Sequence, residues 1–197
     1  MQYASVLRQI SSRLQRINGI QHSFKVEDFV MPTDHENTLL ISECGQDADL
    51  AICLQRDLLH ELSGLSFPQD FSLQVFPRVS LLVEELSHFH FYCVNATEHR
   101  KISALEMEVQ AEVDKFSFAL DCLEELNLKN LEDQVFGILF DQLNLGDWVK
   151  DEERSRYQEA HQIARAFCRK LLRTEEDRAK MIQEYYRLPS EARFNPK

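Results

Sequence analysis

Between Val79 and Leu123 apolar residues return every three or four positions, and this spacing constrains the fold more than any other feature of the chain. Val79, Leu82, Leu86, Phe89 and Cys93 step by three, four, three and four. Ile102, Leu105, Val109, Val113, Phe116, Leu120 and Leu123 continue in the same manner. A helix gathers each set into one stripe, and a stripe that long must be covered by other elements. Ser103, three residues ahead of Glu106, has the spacing of a capping box and marks the start of the second helix.

The same reasoning places the other elements. Val6, Ile10, Leu14 and Ile17 define a helix over 3–17, with Gly19 as its stop. "TLLISE" and "DLAICL" flank "CGQDA" between Thr38 and Leu54 and predict a β-hairpin over 38–55. "QRDLLHEL" predicts a short helix after it. Further helices are predicted over about 131–144, ended by Gly146, over 151–173 and over 175–186. Pro189 and Pro196 oppose continuation into the tail, 187–197. The expectation is a mainly α (α+β) fold: one domain over 1–197, with an amphipathic basic helix over 1–20, a small hairpin and a helical body over 78–186. No repeat or linker divides it.

Charge narrows the functional classes. The net charge is -11, yet residues 1–18 carry three arginines and no acid, and residues 150–197 hold twelve basic against nine acidic residues. The body between them has seven basic and twenty-four acidic residues. Nucleic-acid binding draws on clustered Lys and Arg, so it is not expected. No apolar run reaches the roughly 20 residues that cross a bilayer, and five widely spaced cysteines without a C-x-x-C pair suit reduced thiols. A cytoplasmic location is expected.

Three motifs bear on chemistry. Glu85 and His88 are spaced Glu-x-x-His, and Glu108 and Glu112 lie beside the apolar stripe of the next helix. Converging from antiparallel neighbours, these four would suit a transition-metal ion, as in helical bundles that hold metals between facing helices. Cys93 lies near His88 and His90, but on the apolar stripe, where a thiol is inert packing. Arg156 and His161, in "RYQEAH", resemble the R-x4-H signature of the helical HEPN ribonuclease-like family; that resemblance, which covers six residues, implies RNA cleavage at a dimer cleft. The glycines are too far apart for a G-x-G-x-x-G turn or a P-loop.

Binding features complete the reading. Tyr185, Tyr186, Leu188 and Phe194 make the tail apolar, so that it either folds back or docks on a partner. Trp148 is the only tryptophan, and an exposed one would be a contact hot spot. Arg8, Arg13 and Arg16 would meet an acidic surface, that of the same chain or of another. The expected function is an intracellular adaptor or regulatory protein without a cofactor, acting through contacts with another protein or as a homodimer. A metal-binding helical enzyme and a HEPN-like ribonuclease are the alternatives.

Overall fold

The computed structural model describes residues 3–45, 47–141, 151–174 and 177–194. Their fold is mainly α, with eight α-helices and one three-stranded sheet among the described residues. The helices are α1 (Ala4–Asn18), α2 (Arg56–Leu62), α3 (Phe76–Thr97), α4 (Ala104–Glu125), α5 (Glu132–Phe140), α6 (Asp151–Arg173), α7 (Arg178–Tyr186) and α8 (Ser190–Phe194). The strands are β1 (Val30–Thr33), β2 (Thr38–Cys44) and β3 (Asp47–Gln55).

The long helices follow the apolar stripes. α4 is the central element, packed by α1, α3, α5 and α6, and Phe89, Val109, Val113 and Phe116 are fully buried between them. Each such side chain contributes about 2–3 kcal/mol by leaving water. Ser103 caps α4 with the predicted box: its hydroxyl accepts from the Glu106 N–H, and the Glu106 carboxylate accepts from the Ser103 N–H. α1 buries Val6, Leu7, Ile10, Leu14 and Ile17 and ends at Gly19, whose φ of 61° suits a residue without Cβ.

β2 and β3 form the predicted hairpin, antiparallel with Leu39 opposite Ile52 and Ile41 opposite Leu50. β1 adds a strand that the alternation did not reveal. It runs parallel to β3, Val30 opposite Ile52, so the order is β1-β3-β2. With four residues, one of them Pro32, β1 is too short to display a period. The sheet lays Val30, Leu39, Ile52 and Leu54 against the core beside α3. Its other face is open, with Met31 57% and Leu40 54% exposed.

α7 ends at Tyr186, ahead of Pro189, as expected. The tail then forms α8, which the sequence did not indicate; Pro189 precedes it, where a missing N–H costs nothing. α8 places Arg193 at 0% exposure, among the largest fully buried side chains of the described residues. Gly146, the expected stop after α5, lies outside the described residues.

Candidate functional site

α3, α4 and α6 meet over a cluster of charged side chains that their apolar stripes carry inside. His88 sits between two carboxylates, its Nδ1 3.8 Å from Glu85 and its Nε2 3.5 Å from Glu108. Burial by itself would depress the imidazole, but Glu108 and Glu85 outweigh it and push His88 up to about 10. Burial raises Glu85, against the pull of His88. Next to this group, the Lys115 ammonium donates to Glu112 at 2.6 Å and to Glu84 at 3.0 Å. Arg156 Nε lies 3.8 Å from the other Glu108 oxygen.

This geometry divides the four residues read as metal ligands. Glu85, His88 and Glu108 come together; Glu112 is held by Lys115. Both His88 ring nitrogens face carboxylates, so a metal bound there would have to displace the proton that Glu85 and Glu108 favour on the ring. Among the described residues, no three His, Cys, Asp or Glu side chains are placed to hold a metal ion. The cluster fits an internal ion-pair network in which each cation faces at least one carboxylate.

Arg156 and His161 diverge. Five residues apart on one helix, they point roughly 140° away from each other. Arg156 faces Glu108, whereas His161 Nε2 lies 3.3 Å from the carbonyl of Phe140. Cys93 is buried and its thiol is pushed up to about 12 by that burial, a state unsuited to attack. His90 instead joins a buried chain that the sequence did not suggest, its Nε2 3.0 Å from the Ser11 hydroxyl and its Nδ1 2.6 Å from His22. Burial, and then the neighbouring His22, pull His90 down to about 3, so the chain is neutral.

The residues read as partner contacts are engaged within the chain. Arg16 grips Asp121 on α4 through two bonds of 2.9 and 2.8 Å, Arg13 donates to Asp121 and to Glu125, and Arg8 reaches Glu27 at 3.2 Å. Tyr185 stacks on Phe167 at 3.9 Å, Tyr186 meets the edge of Phe91, and Leu188 and Phe194 pack on the core. Arg193 donates to Gln110 at 2.6 Å and to the carbonyls of Tyr185 and Tyr186. Gln110 in turn donates to Asp114, which also accepts from Asn18 and Ser87. Trp148 lies outside the described residues.

The sheet is where contact groups stay open. β2 is an edge strand. The Ile52 N–H bonds to Phe29 on the β1 side, so Ile52 and Leu39 form a pair without mutual hydrogen bonds. By alternation the N–H and C=O of Leu39, Ile41 and Glu43 point away from β3. No hydrogen bond among the described residues reaches them. Under this edge opens a cleft of about 560 Å3, walled by Ile41, Tyr92, Ile102 and Met107. Glu43 and Asp47 stand at one side, and His99 and Lys101 at the other; the Tyr92 hydroxyl donates to Glu43 at 2.8 Å. One sequence signal marks this region: residues 26–55 contain seven acidic residues and no Lys or Arg.

The fold and these sites define a mainly helical domain with an open sheet edge. Comparison with protein-family models, with curated proteins and with solved structures found no match.

Proposed function

We propose that this chain is an adaptor or regulatory protein that engages another protein through the open end of its three-stranded sheet. The observation that supports this most is the unpaired edge of β2, with free backbone donors and acceptors on a strand that has no Lys and no Pro to guard it. Beside it, exposed Met31 and Leu40 flank Cys53 and Ala51 on the outer face, an apolar patch of the kind that marks interaction sites. The partner is another protein rather than a second copy, because pairing two β2 edges would bring two strongly acidic segments together.

Photo-crosslinking tests this. A photoreactive residue at Leu40 or Met31, in the full chain expressed in its own cells, is expected to trap a discrete adduct identifiable by mass spectrometry. The same residue at Ile138, 40% exposed on α5, serves as control. Leu40→Lys should abolish the adduct formed from Met31. Equal trapping at all three positions, or none at Leu40 and Met31, would overturn the proposal.

A further inference from the structure

We infer that the partner binds by strand addition: an extended segment with alternating apolar residues and basic flanks pairs with β2, and one apolar side chain enters the cleft beneath Ile41. The inference rests on the reading of the sheet end as the contact surface, and it adds the mode and the chemistry of the occupant.

Three features carry it. First, the free N–H and C=O groups of Leu39, Ile41 and Glu43 form a row along one edge, the array that a fourth strand satisfies. Seven residues of β2 offer roughly 23 Å of edge at about 3.3 Å per residue. Second, the side chains of Leu39 and Ile41 point to the core side of the sheet, opposite Ile52 and Leu50. A strand laid next to β2 continues that face, so its alternate side chains project over Tyr92, Ile102 and Met107, where the cleft is open. Backbone pairing and an apolar pocket are thus offered side by side.

Third, the charge selects the occupant. Asp34 and Glu36 precede β2, and Glu43, Asp47 and Asp49 crowd its far end, all of them exposed. Arg100 and Lys101, with His99, stand on the opposite wall, so that two basic lining residues balance Glu43 and Asp47 and leave the cleft close to neutral. The pocket therefore takes an apolar side chain, while the ends of the strand favour Lys or Arg. A second copy of β2 brings Glu43 and acids of its own.

The test uses the full chain and seven-residue synthetic peptides in which Val, Ile, Leu or Phe alternate with Lys, Arg or Thr. A matched set carries Glu or Asp in place of Lys and Arg, and binding is read by fluorescence anisotropy of labelled peptide. The basic set is expected to bind at least about tenfold more tightly than the acidic set at low salt, with the ratio shrinking toward one near 1 M salt, where the screening length is about 3 Å. N-methylation of alternate residues gives the signature of strand addition: methyls on one set of positions abolish binding and methyls on the other leave it unchanged. Ile41→Pro, which removes an outward N–H, should also abolish it, and the methylated peptides keep the test valid should that variant misfold.

Equal binding by both methylated forms overturns strand addition, and equal binding by acidic and basic peptides overturns the charge selection. If no peptide binds while crosslinks persist at Leu40, the strand-addition inference falls and the contact surface stands. If neither is seen, both fall.

Discussion

Arg193→Ala probes the most unusual burial in the fold. The guanidinium is 0% exposed and donates to Gln110 and to the carbonyls of Tyr185 and Tyr186, while lying 5.0 Å from the Phe91 ring centre and 4.9 Å from that of Tyr185. Truncation strands at least two buried acceptors, each costing about 1–3 kcal/mol, and opens a cavity, while the desolvation cost of the cation is relieved. The net expectation is a loss of about 3 kcal/mol, which in a chain of this length lowers Tm by about 6–12 °C. The loss should also depend on pH. Burial pushes Asp114 up to about 6, against its hydrogen bonds with Ser87, Asn18 and Gln110 and the nearby charge of Arg193. A carboxyl held above its unfolded value of 3.8 gives stability that is full below that value and declines as pH rises through 6. Without Arg193 this decline extends to higher pH, so the variant should lose more at pH 7 than at pH 4. Urea unfolding at both pH values measures this. A change below about 0.5 kcal/mol at pH 7 would show that the burial of Arg193 is incidental, and an equal loss at both would refute its coupling to Asp114.

Other perturbations follow from the same contacts. His88→Phe leaves Glu85 without its cation and Glu108 facing Arg156 alone, and should cost about 3–5 kcal/mol at pH 7. Because His88 is raised from 6.5 to about 10, its contribution is full below 6.5 and lost as pH rises through 10; melts from pH 7 to 10 should fall in the wild type and stay flatter in the variant. Gly19→Ala forces φ of 61° on a residue with Cβ and brings that atom 2.8 Å from Gln183, for a loss of about 1–2 kcal/mol by denaturation; an unchanged midpoint would mean that the turn relaxes. His90, held down near 3, gives stability that is present above 6.5 and lost as pH falls. His90→Phe should therefore flatten the acid limb of the stability profile between pH 6.5 and 3, and an unaltered limb would reject that assignment.

How much of this was legible in the sequence depended on whether a feature left a period. The stripes of α3 and α4, the box at Ser103 and Glu106, the stop at Gly19 and the β2–β3 hairpin all follow local rules that act within a few residues. β1 and α8 do not, since four and five residues show no period, and each is formed by what it packs against. The charged cluster was half legible: Glu85, His88 and Glu108 meet as their spacing suggested, yet Lys115 and Arg156 turn the cluster into ion pairs through contacts between helices distant in sequence. The Asp114 to Arg193 network joins residues of α1, α3, α4 and α8, and no pattern along a single helix announces such a meeting.

Charge distribution links the sequence to the proposed surface. The basic ends lie along the acidic body: Arg13 and Arg16 cover Asp121 and Glu125, and Arg178 reaches Glu132 at 2.8 Å. Lys115 serves Glu84 and Glu112 from within. The segment 26–55 has no Lys or Arg of its own, and among the described residues the neighbouring arginines reach only Glu27 and Asp34. Among the described residues no Lys or Arg pairs with Glu36, Glu43, Asp47 or Asp49. Self-repulsion of Glu43, Asp47 and Asp49 weakens the turn end of the hairpin slightly, and each is screened by water while the edge is free. A strand bearing Lys or Arg relieves that repulsion and satisfies the open backbone groups of β2 at the same time. Salt should therefore weaken the complex while steadying the free hairpin, and the two effects have opposite sign only if the unneutralised acids lie at the contact.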